Sequence, residues 1–524
     1  MLTLRIAPYT STSWEWTGAA YTTGDGAGHV TPYAHPMVEQ LAVTDGTRTL
    51  LAVRERVADR PACASGLRTV NPDVYDELTA VAARWPADQV LIETAPHHPV
   101  RVTAGAAGTT PLYLAHADGV LHGSWDMADL RTYATGLASK EAARLLIYRP
   151  RYGAETLFKG ITRLTERATA TFGGDLHIRY PEPALHAAPR ELAPGADVLA
   201  AFTTAIDQAL DVRPIDPATT LFHLTGGLDS GTLATRAAAR WPGRLNTATL
   251  IVIGPGRQQQ IRRRKQILAA LPFGDHDLQV DAGTHLLFAP AAARVRGEPV
   301  SPYEEPLHHP FSRLTDEISA LGAKVVVTGL GGDEMVAVSP EESEAVARAN
   351  AHITDRLPWL GAHARAALEF SDDAIAPPAV VGNMTLLSLE TTAPPLLRAG
   401  LWPLHPFTDP GLIRLGEQLP FHWRDLKRLQ RRRLATFGLS DEVCTPVEPE
   451  NFVELVRRSL MTDGMPLLHR MLRDGSPLID AGLVDPDGLS GVLDEVAAGV
   501  YDEDHHSKLL EVLTLDMAAR AFLS

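Results

Sequence analysis

The stretch Leu221-Phe222-His223-Leu224-Thr225-Gly226-Gly227-Leu228-Asp229-Ser230 decides the fold. An apolar strand runs into a Gly-Gly turn, and the pattern predicts a helix that begins near Gly231. The two glycines permit a positive φ and a close approach of a ligand to the backbone. A helix start offers unpaired N–H groups and the positive end of a dipole, which suits an anion. Thr225 and Ser230 add hydroxyl donors, and Asp229 is placed to hold a cation beside that anion.

A second stretch of the same kind is Lys324-Val325-Val326-Val327-Thr328-Gly329-Leu330-Gly331-Gly332-Asp333-Glu334. It is again a β-branched strand followed by a Gly-rich loop with a carboxylate. Either loop alone is also compatible with an ordinary turn. Two such loops are expected to meet at the carboxyl edge of one parallel sheet, where α/β folds bind ligands. Asp229 and Asp333 would then share one Mg²⁺, since this ion prefers one or two carboxylates plus phosphate oxygens.

The motifs TGGLDS and GLGGDE, in this order, resemble the synthetase domain of the asparagine synthetase family, which includes β-lactam synthetases and lasso-peptide macrolactam synthetases. The resemblance covers roughly the whole chain and is strongest from Thr220 to Asp409. It implies an α/β ATP-pyrophosphatase fold of the adenine nucleotide α-hydrolase type, with ATP and Mg²⁺ as cofactors. It also implies that Asp229 and Asp333 bind the metal. The residues that it places on ATP or pyrophosphate are Leu224, Thr225, Gly226, Gly227, Asp229, Ser230, Gly329, Gly331 and Gly332.

Residues 1–185 are predicted to form many short strands separated by Gly, Pro and Asp turns. The run Gly108-Thr109-Thr110-Pro111-Leu112-Tyr113 and the stretch from Thr156 to Leu164 resemble the glutaminase domain of asparagine synthetases. That resemblance implies an αββα fold of the Ntn-hydrolase type. A working glutaminase of this type needs Cys at position 2, and Leu2 stands there; Cys63 lies within a loop. We therefore expect a scaffold that hydrolyses no glutamine.

A Pro- and Ala-rich linker at residues 181–190 indicates a boundary between a domain at 1–185 and a second at 186–524. Four-residue spacing of apolar side chains predicts a helix over Asp197–Val212. The next strand is expected over residues 248–253, and by resemblance Ile251 and Ile253 lend backbone groups to adenine. A helix is also expected over residues 382–388.

The 524-residue chain has a net charge of −15, which argues against a nucleic-acid binder. Its two cysteines, Cys63 and Cys444, form neither a disulfide framework nor a zinc spacing and fit a reducing cytoplasm. The N-terminal residues look like a strand rather than a signal peptide. No apolar run approaches the length of a membrane helix.

Several charged segments have two interpretations. Arg257 and the run 262–265 fit either a solvated helix face or a contact with the triphosphate. Glu304 and Glu305 resemble an acidic turn of the family that lies near the substrate, where they would hold an amine or a metal, but an ordinary Pro-bounded turn fits equally. His308 and His309 are expected at the surface. The segment 502–506 carries metal-ligand side chains but is expected to be an exposed loop.

Two positions depart from the family pattern. Asparagine synthetases have Glu and β-lactam synthetases a catalytic Tyr where this chain has Leu330, which can neither accept a proton nor orient a base. The segment from Cys444 to Phe452 lacks the Lys by which the family stabilises the reacting phosphate. Lys427, our third candidate catalytic residue with Asp229 and Asp333, or an arginine of 431–433 is expected to replace it. The basic segment 424–433 fits equally a solvated face or a wall of the site.

These motifs lead to one principal hypothesis and two alternatives. The principal one is amide formation through an acyl-adenylate, which releases AMP and pyrophosphate, most closely resembling lasso-peptide macrolactam closure. The substrate would be a peptide or amino-acid-derived carboxylate, and a leader peptidase or precursor-recognition protein would be a partner. The first alternative is a small-molecule amide synthetase of the asparagine or β-lactam type. The second is a catalytically weakened protein that binds a nucleotide or peptide.

Overall fold

The computed structural model of the chain describes residues 1–9, 13–344, 346, 357–448 and 450–524. Its fold is of the predicted α/β class. Two seven-stranded sheets and a two-stranded ribbon lie before residue 180, and a five-stranded parallel sheet lies between residues 220 and 404.

The first sheet is antiparallel with the order β14-β10-β11-β1-β4-β3-β2. The second has the order β16-β15-β9-β8-β6-β5-β7 and is antiparallel except for the parallel pair β5 and β7. The ribbon pairs β12 with β13. The strands are β1 (Leu2–Ile6), β2 (Trp14–Trp16), β3 (Tyr21–Thr23), β4 (Gly28–Pro32), β5 (Val38–Thr44), β6 (Thr49–Glu55), β7 (Leu67–Thr69), β8 (Gln89–Thr94), β9 (Val100–Ala104), β10 (Tyr113–Ala117), β11 (Val120–Ser124), β12 (Gly136–Leu137), β13 (Phe158–Lys159), β14 (Thr162–Arg163), β15 (Thr169–Phe172) and β16 (Leu176–Arg179).

The two seven-stranded sheets face each other across one apolar core. Leu2 and Leu4 of the first sheet share this core with Val53 and Ile92 of the second, because alternate side chains of a strand point to the same face. Helix α1 (Pro72–Ala83) covers the outer face of the second sheet, and helix α2 (Ser139–Leu146) packs on the first. The Ntn-type assignment of this unit stays a prediction.

The parallel sheet contains β17 (Thr220–His223), β18 (Asn246–Ile251), β19 (Asp277–Asp281), β20 (Val325–Val327) and β21 (Trp402–Leu404), in the order β19-β18-β17-β20-β21. Successive strands are added on one side from β17 to β19 and on the other from β20 to β21. The order therefore reverses between β17 and β20, which are direct neighbours. Ligands of open parallel sheets bind at such a switch point, beyond the carboxyl ends of the strands.

Helices pack on both faces of this sheet and continue to the C-terminus. Helix α3 matches the prediction closely, since Asp197 caps it by accepting a hydrogen bond from the Ala200 N–H. The helix predicted to begin near Gly231 begins at Leu228 instead, directly after the second glycine of the turn. The helices are α3 (Val198–Asp211), α4 (Leu228–Arg240), α5 (Arg257–Ala270), α6 (His308–Ala320), α7 (Gly332–Met335), α8 (Ala362–Leu368), α9 (Asn383–Arg398), α10 (Pro410–Gln418), α11 (Phe421–Arg424), α12 (Arg428–Ala435), α13 (Asp441–Cys444), α14 (Val453–Ser459), α15 (Met465–Asp474), α16 (Pro477–Asp480), α17 (Pro486–Ala497), α18 (Glu503–His506) and α19 (Leu509–Leu523).

Buried polar contacts join the N-terminal sheets to the parallel-sheet unit. Arg163 Nε lies 2.9 Å from Glu390 Oε1, and both side chains are almost fully buried. Glu55 pairs with Arg213 at 2.6 Å and accepts a hydrogen bond from Trp402 Nε1 at 2.9 Å. Residues 181–197 between the two units contain no regular secondary structure. The boundary at residue 185 stays a prediction.

Candidate nucleotide and acyl-transfer site

A cavity of about 400 Å³ lies at the switch point of the parallel sheet. The two Gly-rich loops that follow β17 and β20 form its floor. The structure thus brings both loops to one edge, because they follow neighbouring parallel strands. The predicted residues that line the cavity are Thr225, Gly227, Asp229, Ser230, Glu305, Gly329, Gly331 and Asp333.

The first loop is held in shape by its own polar groups. Gly226 has φ +95°, a conformation that favours glycine, and Gly227 caps helix α4. The Gly227 N–H donates to Thr225 Oγ1 at 3.1 Å, and the Thr225 N–H donates to Ser230 Oγ at 3.1 Å. The loop therefore directs the amino end of a 13-residue helix into the cavity, which favours an anion there.

The second loop lies directly against the first. A Cβ atom on Gly332 would lie 2.5 Å from Asp229 Cγ, and a Cβ atom on Gly329 would lie 2.9 Å from the Ser230 N atom. Gly331 adopts φ +89° at the amino end of helix α7. Glycines are needed here for close approach, although Gly332 and Gly226 contribute to the site without lining the cavity.

Asp229 and Asp333 converge on the ammonium group of Lys427. Lys427 Nζ lies 2.6 Å from Asp229 Oδ2 and 2.6 Å from Asp333 Oδ1. Leu426 and Lys427 both adopt left-handed conformations, with φ 50° and 54°, which turn this ammonium toward the loops. Such strain in non-glycine residues is concentrated at functional sites.

The two carboxylates fit a divalent cation. Their oxygens already share one positive group, and Mg²⁺ binds through one or two carboxylates together with phosphate oxygens. Burial raises the pKa of Asp229 to about 6, while Lys427 opposes this shift and Asp333 adds to it. Burial opposes ionisation of Lys427, yet Asp229 and Asp333 together raise the pKa of its ammonium group.

Glu450 is a site residue that sequence reasoning did not identify. Its Oε1 lies 2.6 Å from Arg263 NH1, and its Oε2 accepts a hydrogen bond from Thr225 Oγ1 at 3.3 Å. Burial raises the pKa of the Glu450 carboxyl to about 7, although Arg263 favours the ionised form. The partners are 187 and 225 residues away along the chain, so no local pattern reveals the contact.

The strand end that was expected to meet adenine lies at the wall of the cavity, and the backbone role of Ile251 and Ile253 stays a prediction. Thr249, Leu250 and Val252 line the cavity, whereas Ile251 and Ile253 are not among the lining residues. The Gln260 amide already donates to the Leu250 carbonyl at 3.0 Å and accepts from the Val252 N–H at 2.9 Å. Leu224 is also outside the lining, and its carbonyl accepts a hydrogen bond from Arg264 Nε.

Glu304 and Glu305, the acidic pair that follows β19, lie in different environments. Glu305 lines the cavity, and burial raises the pKa of its carboxyl. Glu304 is buried away from the cavity, where it pairs with Arg398 and with His308 Nε2 at 3.4 Å. Only Glu305 is therefore positioned for a substrate. His308 is buried rather than at the surface, because it completes this pair.

The basic run on helix α5 is only partly solvated. Arg263 and Arg264 are buried and pair with Glu450 and Asp277, which corrects the reading of this run as a plain solvated face. Arg262 is exposed and pairs with Glu442. Arg257 pairs with Asp281 at 2.8 Å, and neither Arg257 nor Arg262 lines the cavity.

The segment 424–433 reaches the two Gly-rich loops through two of its side chains. Lys427 contacts the carboxylates and Gln430 Nε2 donates to the Gly332 carbonyl at 3.2 Å. Arg431 donates to backbone carbonyls at Leu426 and Cys444, away from Asp229. The solvated-face alternative for the whole segment is therefore wrong.

Apolar residues complete the cavity and a second cavity adjoins it. Leu330 lies in the wall, together with Leu307, Phe311, Leu314 and Phe452. A second cavity of about 730 Å³ shares Gly331 and Glu334 with the first.

Two other predictions concern metals and membranes. Within the described part of the chain, no cluster of three or more His, Cys, Asp or Glu side chains could hold a metal ion. The 502–506 segment includes the short helix α18, in which His506 is buried. None of the helices in the described ranges combines the length and apolar character that crossing a bilayer requires.

A comparison of the sequence with known protein families identifies the part of the chain that contains the cavity. The asparagine synthase family matches residues 201–520, more than half of the chain and the whole of the parallel sheet with both loops. No curated protein matches the chain.

Proposed function

Because the chain belongs to the asparagine synthase family, we propose that it joins a carboxylate to an amine through an acyl-adenylate. Members of this family are ATP-dependent ligases that form C–N bonds. The observation that supports the proposal is the convergence of Asp229 and Asp333 on one cation position beside the loop Thr225–Ser230.

The chemistry follows from the need for a leaving group on the carboxylate. A carboxylate oxygen attacks the α-phosphorus of ATP, the bond from that phosphorus to the bridging oxygen breaks, and pyrophosphate leaves. The amine then attacks the acyl carbon, the carbon–oxygen bond to the adenylate breaks, and AMP leaves while the nitrogen loses a proton. Holding both reactants in one cavity supplies the proximity that the second step requires.

The residues of the two loops have complementary roles in this proposal. Thr225 and Ser230 present hydroxyl groups, and helix α4 presents its positive end, to the leaving pyrophosphate. Asp229 and Asp333 would hold Mg²⁺, which neutralises charge on phosphate oxygens when it is bound. Lys427, whose ammonium lies between the two carboxylates in this structure, would give that position to Mg²⁺ and stay beside it as the positive charge that the segment 444–452 lacks.

For the substrate, we infer a peptide whose terminal amine is joined to an Asp or Glu side chain. Leu330 lies in the wall at the position where asparagine synthetases have Glu and β-lactam synthetases have a catalytic Tyr, so neither of those side chains is present here. The adjoining cavity of about 730 Å³ gives room for a folded peptide loop. Glu305 is the carboxylate that we assign to the substrate amine. A leader peptidase or a precursor-recognition protein would deliver such a substrate.

A non-catalytic nucleotide- or peptide-binding partner protein is the second candidate. The observation that favours it is Glu450, whose carboxylate lies on the loop that would receive phosphate. Such a protein would bind ATP without releasing AMP.

The deciding experiment measures AMP and pyrophosphate release from ATP and Mg²⁺ with free aspartate plus ammonia and with peptides that carry an internal Asp or Glu. We expect release with one class of peptide and mass loss of one water from that peptide. Asp229→Asn and Lys427→Met should each lower the rate by roughly 100-fold or more, the scale of losing one electrostatic group in a preorganised site.

Two matched variants control for charge and folding in this experiment. Asp216→Asn removes an exposed aspartate, and Lys265→Met removes an exposed lysine of helix α5; both should keep the native rate. ATP binding without AMP release from any acceptor would instead establish the non-catalytic candidate. Release with free aspartate and ammonia would replace the peptide by a small-molecule substrate.

A further inference from the structure

The carboxylate of Glu450 lies directly on the Gly-Gly turn of the first loop. A Cβ atom on Gly226 would lie 2.8 Å from Glu450 Oε1, and a Cβ atom on Gly227 would lie 3.1 Å from Glu450 Oε2. The Thr225 hydroxyl donates to the same carboxylate at 3.3 Å. An anionic group of the protein therefore occupies the place beside helix α4 that suits a phosphate.

Arg263 lies behind this carboxylate. Its NH1 is 2.6 Å from Glu450 Oε1, its NH2 donates to the Val443 carbonyl at 3.0 Å, and its side chain is 1% exposed. Its Nε atom is buried and has no hydrogen-bond partner among the described residues. Arg263 does not line the cavity, because Glu450 stands between the guanidinium and the cavity.

Glu450 is the charged partner of the buried Arg263 guanidinium. Removing one member of a buried ion pair leaves an uncompensated charge, which is strongly unfavourable. If Glu450 left the loop alone, Arg263 would lose its counter-ion. If a phosphate oxygen took the position of Oε1, Arg263 NH1 would keep a charged partner without moving, and guanidinium groups match phosphate geometry well.

We propose that Arg263 is a further catalytic residue that binds the leaving pyrophosphate, and that Glu450 is its exchangeable partner in the nucleotide-free protein. This inference rests on the proposed adenylation function. ATP displaces the Glu450 carboxylate, and the exchange uncovers Arg263 beside the Gly-Gly turn. A cation thus reaches the pyrophosphate from helix α5, although the segment 444–452 contributes a carboxylate where the family contributes a Lys.

The test is the affinity of the full-length protein for inorganic pyrophosphate and for Mg-ATP, measured by titration calorimetry without any acceptor. Glu450→Gln keeps the shape and removes the competing charge, so it should tighten pyrophosphate binding about tenfold or more, the factor that one charge-assisted hydrogen bond carries. In the Glu450→Gln background, Arg263→Lys should weaken pyrophosphate binding by about the same factor, because the bidentate fork is lost.

Matched controls separate this exchange from general charge effects. Glu448→Gln removes an exposed carboxylate two residues away, and Arg262→Gln removes the exposed neighbour of Arg263; both should leave pyrophosphate affinity unchanged. Thermal unfolding of each variant checks that it is folded. If Glu450→Gln is unstable, Glu450→Asp shortens the side chain and should tighten binding in the same direction.

The outcomes separate this inference from the proposed function. Unchanged or weaker pyrophosphate binding by folded Glu450→Gln, in a protein that still releases AMP with its acceptor, would overturn the exchange and leave adenylation intact. Tighter pyrophosphate binding without AMP release from any acceptor would support the exchange and overturn the ligase. Absence of pyrophosphate and ATP binding in every variant would overturn both.

Discussion

At the scale of single residues, ion pairs hold the charged groups beside the cavity in place. Lys427 pairs with the carboxylates of Asp229 and Asp333. The Glu450 carboxylate pairs with Arg263 and also contacts the first Gly-rich loop. Lys427 was one of the replacements expected for the Lys that the segment 444–452 lacks, with the arginines of 431–433 as the other, and the structure places Lys427 on the two carboxylates. Glu450 was not predictable, since its importance depends on a fold that brings it to a turn 225 residues away.

The buried side chain of His405, beside this site, makes the stability of the protein depend on pH. Its Nδ1 lies 2.7 Å from Thr328 Oγ1, and its buried Nε2 has no partner among the described residues. Burial lowers the pKa of His405 to about 3, with Arg213 and His223 adding to the effect. Below pH 6.5 the unfolded chain binds a proton that folded His405 does not accept, so stability falls as pH falls.

We expect His405→Asn to reduce the pH dependence of stability. In the native protein, His405 should account for a loss of about 2 kcal/mol in the free energy of unfolding between pH 7 and pH 5. Urea unfolding followed by tryptophan fluorescence at both pH values measures this loss. His177→Asn, at an exposed position, is the control and should keep the native difference. Equal pH dependence in native protein and His405→Asn would contradict the burial argument.

At the scale of elements, the site depends on two loops that follow adjacent parallel strands. The β17 and β20 register fixes their separation, and glycines allow them to touch. Strand-then-glycine patterns predicted both loops from sequence alone. The side chains of this strand end that face the cavity were not predicted, because a fully apolar run such as Leu250–Ile253 does not reveal which residues face a cavity.

Gly332→Ala tests the contact between these loops. The added methyl group would lie 2.5 Å from Asp229 Cγ and must displace that carboxylate from its position beside Lys427. We expect AMP release to fall by about 100-fold, since a displacement near 1 Å is enough to cause such a loss. Steady-state AMP release, with the folded fraction checked by circular dichroism, measures the effect.

Gly491→Ala is the matched control for this substitution. Gly491 is exposed in helix α17, and an added Cβ atom meets nothing within 4 Å among the described residues. Alanine should keep the native rate and add up to about 1 kcal/mol of stability, because it favours helix and restricts the unfolded chain. A native rate in Gly332→Ala would show that Asp229 does not need its present position.

At the scale of the whole molecule, the N-terminal sheets act as a support for the parallel-sheet unit. Arg163, Glu55 and Phe158 of the N-terminal unit contact Glu390, Trp402 and Phe522, respectively. The α/β class of the chain was predictable, because the two strand-and-glycine motifs and the resemblance that they carry point to a parallel sheet. The buried contacts between the units were not predictable, since an Arg in a short strand gives no sign of a partner 227 residues later.

The pair Arg163 and Glu390 offers a test of this support. The side chains are 2% and 4% exposed, and the Tyr113 hydroxyl also donates to Glu390. Arg163→Met leaves Glu390 buried without its cation, so we expect a loss of roughly 3–5 kcal/mol in the free energy of unfolding. The double variant Arg163→Met/Glu390→Met should recover most of that loss, because a buried ion pair is replaceable by apolar groups of similar volume.

Urea denaturation measures the stability of the single and the double variant. Arg296→Gln, which removes one member of an exposed ion pair, is the control and should leave the midpoint unchanged. A double variant no more stable than Arg163→Met would show that the joint between the units depends on Arg163 itself rather than on the neutralisation of Glu390.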